Sequence, residues 1–117
     1  MPFVCSGYPS EWALTLQKLI DLNPKAVIPG HGEVLQGTGY VKQVQELLKT
    51  VAGAVREEFY ANGNGLEQAF VQNAVEKKLD FEKVRRSFDG GDSDNFEQSE
   101  AIKSCLVKNA YFEERLR

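Results

Sequence analysis

A long helical pattern in the middle of the chain limits the possible folds more than any other feature. Its apolar positions recur at three- and four-residue steps, at Val41, Val44, Leu48, Val51, Val55 and Phe59. This spacing predicts an amphipathic helix over residues 40–61, which is about six turns. Gly53 lies inside the helix at a cost of about 1 kcal/mol, which the apolar stripe can offset. Other elements must then cover the apolar face.

A second helix is predicted for residues 11–22. Ser10 is expected to be its N-cap, because a serine hydroxyl can accept a hydrogen bond from a free amide of the first turn. Pro24 disfavours the helical conformation at Asn23 and should end the helix there. The predicted apolar stripe of this helix is Trp12, Leu16, Leu19 and Ile20.

Further helical patterns fill the second half of the chain. One follows the turn at residues 62–65 and ends near Leu79 and Asp80, and Asp80 is expected to cap a short turn after it. Another covers residues 96–116. The predicted stripes are Leu66, Ala69, Phe70, Ala74 and Val75 in the first, Phe81, Val84 and Phe88 in the short turn, and Ile102, Cys105, Leu106, Asn109, Phe112 and Leu116 in the last.

Only one convincing strand is predicted, at residues 25–28, where Pro29 and Gly30 end a short apolar run. Because no polar residue alternates within the run, a buried and parallel position in a sheet is expected. Residues 3–5 are the one other candidate. A lone strand leaves backbone groups without partners. The fold should therefore be nearly all helical, or else part of a larger α/β domain.

The predicted fold class is mostly α, with about four helices and one or two short strands. We expect a single, incomplete domain with four segments. These are a helix, strand and turn in residues 1–39, a helical segment in 40–88, an acidic linker in 89–95, and a C-terminal helix in 96–117.

Composition excludes several partners. The net charge of −3 over 117 residues gives no basic surface for nucleic acid. No apolar run approaches the roughly 18 residues that suggest a membrane span, and the start lacks the pattern of a signal peptide. Cys5 and Cys105 give no disulfide framework by their spacing. The expectation is therefore two reduced thiols in a cytoplasmic protein.

The turn Pro29-Gly30-His31-Gly32 holds the only histidine of the chain. An imidazole between two glycines can project from the end of a strand, where site residues of α/β folds gather. The alternative interpretation is a histidine in an ordinary surface loop. Zinc takes three or four ligands, and beside His31 the chain offers only carboxylates and two cysteines.

Other possible sites fail on their spacing. A calcium loop that begins at Asp92 would need glycine where Glu97 stands and a glutamate where Lys103 stands. The acidic linker is therefore expected to be a solvated loop. The pairs Glu57-Glu58 and Glu113-Glu114 are interpreted as solvated helix faces, and no catalytic or cofactor-binding residue is predicted.

The order of elements resembles the C-terminal part of the metallo-β-lactamase fold superfamily, in its broad hydrolase branch. A helix bearing Trp12 is followed by the Pro-Gly-His-Gly turn and then by a long helix. Residues 11–34 carry the specific match, and residues 63–69 and 109–113 fit more loosely.

The resemblance implies a four-layer αββα sandwich with one or two metal ions, usually zinc. A metal-bound hydroxide attacks the substrate in such enzymes. His31 occupies the position of the family's last metal ligand. The family's His-x-His-x-Asp-His motif, its middle histidine and its bridging aspartate are absent from this sequence, which has Met1 only thirty residues before His31. The expectation is a C-terminal fragment of a zinc hydrolase that is inactive alone and binds no metal tightly.

The resemblance also implies a partner. The stripe of the first helix would pack on a sheet that is largely missing, so we expect either self-association or association with the missing N-terminal half of the domain. One alternative is a standalone helical interaction module, in which the stripe of residues 41–59 or the last helix receives a partner. Another is a small protein that binds metal through His31 and a cysteine, without catalysis.

Overall fold

The computed structural model describes residues 5–61, 67–89 and 96–117. Its elements in chain order are α1 (Pro9–Asp21), β1 (Ala26–Val27), β2 (Leu35–Gln36), α2 (Gly39–Ala61), α3 (Gln68–Lys78), α4 (Phe81–Asp89) and α5 (Phe96–Leu116). The mostly α fold is confirmed. Residues 90–95 of the predicted solvated loop lie outside the described residues, and so does Leu66. Asp89, the first residue of that loop, is the last residue of α4.

Helix α2 is the centre of the core, and its predicted stripe is confirmed. It packs against α1, α3 and α5, so its apolar face is covered from several sides. The largest fully buried side chains lie on α2, α3 and α5, and they are Leu48, Val51, Val55, Val71, Val75, Leu106 and Val107. Buried Gln45 joins α2 to α1, because its Nε2 donates to the carbonyl of Ala13 at 3.0 Å and to Gln17 Oε1 at 2.9 Å.

The ends of α1 follow from local sequence, with one difference from the prediction. Tyr8 stands at the N-cap position and makes no side-chain cap, and Pro9 occupies the first turn, where its missing N–H is no loss. Ser10 is therefore not the cap. After the helix, Asn23 adopts a positive φ of 49°, which asparagine tolerates and which ends α1 as predicted.

A disulfide between Cys5 and Cys105 ties the segment before α1 to α5, across a sequence separation of 100 residues and a Cα–Cα distance of 5.2 Å. The expectation of reduced thiols is therefore wrong, and the reasoning from them to a cytoplasmic location loses its basis. Close beside the bridge, Gly7 has a φ of +79°, and a Cβ there would come within 2.9 Å of Trp12 Nε1. Only glycine allows the chain to pass Trp12 so closely.

Helices α3 and α5 form where predicted, but their buried faces match the predicted stripes only in part. Val75, Ile102 and Leu106 are buried as predicted. In α3 the buried residues are Val71 and Val75, whereas Phe70 is 64% exposed. In α5, Leu116 is 71% exposed. Among residues 100–116, where the burial of α5 is described, the buried residues are Ile102, Leu106, Val107, Ala110, Tyr111, Glu113 and Glu114. The faces are set by the helices packed around them as well as by the periodicity within each segment.

The predicted strand exists, but its expected buried and parallel position is wrong. β1 pairs antiparallel with β2, with Ala26 opposite Gln36 and Val27 opposite Leu35. Gly37 N–H donates to the carbonyl of Lys25 at 2.8 Å and closes the hairpin. A short run with a turn behind it pairs most readily with the next residues along the chain, since that closes the smallest loop.

Helix α4 begins as predicted, with Asp80 as its cap. Asp80 Oδ1 accepts a hydrogen bond of 3.0 Å from the N–H of Lys83. Glu82 then receives hydrogen bonds from Arg85 and Arg86. The hydrogen bonds from Arg85, with a smaller contribution from Arg86, lower the pKa of Glu82 from 4.5 to about 2.

Candidate functional site

The turn that carries His31 connects the two strands of the hairpin and lies in solvent. Gly30, His31, Gly32 and Glu33 are all exposed. Gly32 has a φ of +98°, a conformation that glycine adopts without strain. Apart from chain neighbours, no heavy atom lies within 4 Å of the place where a Cβ of Gly30 or Gly32 would be. The imidazole is therefore accessible to a ligand or to another polypeptide segment.

Apolar side chains flank this turn without cover from the described residues. Ile28 is 81% exposed and Val34 is 54% exposed, one on each side of the histidine. On α1, Leu14 is exposed, and Leu22 is exposed just after the helix ends. Single exposed apolar residues are common. Here Ile28 and Val34 lie on either side of His31 in the sequence. The turn therefore combines a possible metal ligand with apolar surface whose burial would be favourable.

The described residues do not complete a metal site at His31. Among residues 5–61, 67–89 and 96–117, no group of three or more His, Cys, Asp or Glu side chains could hold a metal ion. Cys5 and Cys105 are joined to each other, so neither offers a thiolate. With the two cysteines joined in this way, the structure gives no support to a site built from His31 and a cysteine. A closed zinc site, which needs three or four ligands, does not fit these residues alone.

The pair Glu113-Glu114 was predicted to be solvated, and this is wrong. Glu114 is 4% exposed, and its Oε1 lies 3.2 Å from both Arg56 Nε and Arg117 Nε. Glu113 is 7% exposed, and its Oε2 accepts a 3.2 Å hydrogen bond from the N–H of Ser10. Buried carboxylates need such partners, because burial without them is strongly unfavourable.

One oxygen of each buried carboxylate has no hydrogen-bond partner among the described residues, namely Glu113 Oε1 and Glu114 Oε2. Glu113 also places negative charge at the N-terminus of α1, where the helix dipole favours it. This pair is the most unusual polar feature of the core, and the sequence interpretation missed it.

The helical spacing of α5 carried a signal for the burial of Glu113 and Glu114. Glu113 lies seven residues after Leu106, and Glu114 lies four residues after Ala110, so both share the face of buried residues. The predicted stripe shares Ile102 and Leu106 with this face, but it continued along Cys105, Asn109, Phe112 and Leu116 and so left out Glu113 and Glu114. Their partners are the N–H of Ser10 in α1, Arg56 in α2 and Arg117 at the chain end, which no pattern within α5 shows.

The chain has no detected relative. A scan against protein-family models, a search of the curated proteins and a search of the solved structures each found no significant match. Within the described residues, none of the helices has both the length and the apolar content needed to cross a membrane.

Proposed function

We propose that this chain is the C-terminal part of a metal-dependent hydrolase with a metallo-β-lactamase fold. In this proposal His31 contributes one ligand, to zinc or a similar ion, and the other ligands come from a segment outside this chain. The chain alone is expected to have no hydrolase activity, because its described residues form no group of three or more side chains that could hold a metal ion.

The observation that carries the proposal is the setting of His31. The imidazole stands on an exposed turn between two glycines, and no described residue forms an ion pair or a hydrogen bond with it. A histidine that stabilises its own fold is normally held by such a partner. A histidine that ligates a shared ion must instead reach outward, as this one does.

The exposed apolar residues beside the turn support the same proposal. Ile28 and Val34 flank His31, and β1 is only two residues long. In the proposed parent enzyme these residues lie against the rest of the sheet, which covers them and continues the hairpin. The partner of this surface is therefore the N-terminal part of the same domain, and self-association of the isolated chain would be a substitute for it.

The surfaces that a helical interaction module would use to bind a partner are covered by the fold itself. The stripe of residues 41–59 is buried in the chain's own core, and so is the inner face of α5. A partner helix could reach them only by displacing one of the helices that pack against α2 and α5. A module of this kind would have to use a different surface, such as the one around Ile28.

Two measurements test the proposal. The first is the coding sequence in frame with this chain or beside it, which should encode a His-x-His-x-Asp-His motif and a bridging aspartate. The second is calorimetric zinc titration of this chain and of its His31→Ala variant. We expect only weak binding by both, because a single imidazole cannot hold zinc tightly. Sub-micromolar binding that His31→Ala abolishes would contradict a shared site.

A further inference from the structure

A surface cavity of about 330 Å³ lies between α1, the middle of α2 and the end of the chain. Three basic side chains line it, namely Lys49 and Arg56 of α2 and Arg117. Of the described side chains in its wall, only Glu114 carries a carboxylate. His31 does not line this cavity, so a ligand bound here is independent of the proposed metal site.

The buried carboxylate of Glu114 holds both guanidiniums at the cavity. Its Oε1 lies 3.2 Å from Arg56 Nε and 3.2 Å from Arg117 Nε. An arginine carries five N–H donors, so one shared oxygen leaves most donors of both side chains unused. Neither side chain forms another ion pair or hydrogen bond with the described residues. The two side chains are 54% and 42% exposed, so their remaining donors are accessible to a ligand.

Lys49 adds a third positive charge to the wall. Its side chain is exposed, and no described residue forms an ion pair or a hydrogen bond with its Nζ. The lining side chains therefore carry three positive charges and one negative charge. The second oxygen of Glu114, Oε2, is buried and is not presented to a ligand. An excess of positive charge around a cavity favours an anion.

Small residues also line this cavity, among them Ala13 of α1 and Ala52 and Gly53 of α2. Glycine in the middle of a helix is unfavourable relative to alanine. The fold gives no packing reason for it, because a Cβ on Gly53 would meet no heavy atom within 4 Å beyond its chain neighbours and the local helix backbone. The open space beside Gly53 lets a ligand approach the backbone of α2 closely.

We propose that this cavity binds a phosphate monoester. The free N–H groups of Arg56 and Arg117 and the ammonium of Lys49 donate to the phosphate oxygens. Glu114 is a positioning residue, because it orients the two guanidiniums without contacting the ligand. The organic group of the ester lies against Leu14, which lines the same cavity and is 68% exposed.

The charge and shape of a phosphate monoester fit this wall. The group has three terminal oxygens and a charge of about −1.5 to −2 at neutral pH. Three basic side chains with an excess of two positive charges match it better than they match a planar carboxylate with one negative charge. A phosphorylated side chain of another polypeptide and a free small phosphate ester share this chemistry.

The test is an NMR titration with methyl phosphate at constant ionic strength and about pH 8, where the ester is a dianion because its second pKa is about 6. The reporters are the amides of Ala52 and Gly53 and the methyl groups of Ala13 and Leu14. We expect shifts at all four residues that saturate together. Dimethyl phosphate has one negative charge and one terminal oxygen fewer, so it should bind roughly tenfold more weakly.

Lys49→Gln removes one cation from an exposed position, and it should weaken methyl phosphate binding roughly threefold to tenfold. Lys42→Gln is the matched control. Lys42 is exposed on the same helix, two turns before Lys49, and does not line the cavity. It should leave binding unchanged, which distinguishes a defined site from general attraction to a basic surface.

Substitutions of Gly53 separate ligand binding from stability. Gly53→Ala should make the protein unfold at a higher urea concentration, because alanine favours the helix. The same variant should bind methyl phosphate more weakly, because its methyl group takes up space in the cavity. Gly53→Leu fills more of the cavity and should abolish saturable binding. If Gly53→Leu does not fold, Gly53→Ala carries this test.

The source of the phosphate is distinguished by a second probe, Nα-acetyl-O-phosphoserine methylamide. Tighter binding than methyl phosphate assigns the cavity to a phosphorylated side chain, and weaker or equal binding assigns it to a free phosphate ester. The proposal is overturned if the shifts do not saturate or if dimethyl phosphate binds as tightly as methyl phosphate. It is also overturned if Lys42→Gln weakens binding as much as Lys49→Gln, or if a folded Gly53 variant that fills the cavity binds as well as the unchanged chain.

Discussion

Breaking the Cys5–Cys105 disulfide is expected to cost this protein a large part of its stability. The bridge closes a loop with a sequence separation of 100 residues. In the chain-entropy model a loop of about this length lowers the entropy of the unfolded chain enough to stabilise the fold by about 4.7 kcal/mol. Since a domain has only about 5–15 kcal/mol in total, reduction would remove from about a third to nearly all of it.

The assay is urea unfolding of the oxidised and reduced protein, followed by the fluorescence of Trp12, which lies close to Gly7, two residues after Cys5. At a slope of about 1.5 kcal/mol per molar urea, the midpoint should fall by about 3 M on reduction. The double variant Cys5→Ser/Cys105→Ser should unfold like the reduced protein, whether or not a reductant is present.

Intact mass and thiol alkylation establish which samples carry the bridge. If protein shown to be oxidised unfolds at the same urea concentration as reduced protein, the loop-closure reasoning is refuted. If the native protein alkylates readily at both cysteines without reductant, the bridge itself is refuted, and the earlier expectation of free thiols is restored.

Other substitutions probe the core, α2 and α4. Leu106→Ala, at a fully buried position, should cost about 2–5 kcal/mol in chemical unfolding, whereas Leu14→Ala on the surface should cost less than about 0.5 kcal/mol. Gly53→Ala should raise the free energy of unfolding by about 0.5–1 kcal/mol, since its added Cβ meets no atom within 4 Å. The Glu82 carboxyl should titrate near pH 2 in NMR, and Arg85→Met should move it back toward 4.5. Because folding lowers this pKa, the stabilisation is present above pH 4.5 and is lost as the pH falls toward 2.

The sequence predicts α2 and α5 well in extent, because both carry long periodic patterns with clear stops. α2 begins one residue before the predicted Tyr40, and α5 has the predicted bounds Phe96–Leu116. The sequence predicts less well which face of α5 is buried. Glu113 and Glu114 can face inward only because Arg56, Arg117 and the N–H of Ser10 meet them there, and those partners are distant in sequence.

The hairpin and the disulfide escaped prediction for related reasons. Two residues of β1 pair with two residues of β2, too short a pattern to show alternation. Cys5 and Cys105 meet because α1 and α5 pack together, and sequence spacing alone does not reveal that pairing. The position of His31 on an exposed turn between glycines was, by contrast, a local property and is confirmed, while its role as a ligand is a proposal.

The most direct test of that role is the zinc content of the natural gene product, purified with whatever polypeptide segment accompanies this chain in the cell. Metal analysis should find bound zinc or a similar ion in the natural form, and His31→Ala should remove most of it while the protein stays folded. A folded natural product that holds no metal, or one whose metal content is unchanged by His31→Ala, would contradict the proposal that His31 is a ligand of a shared site.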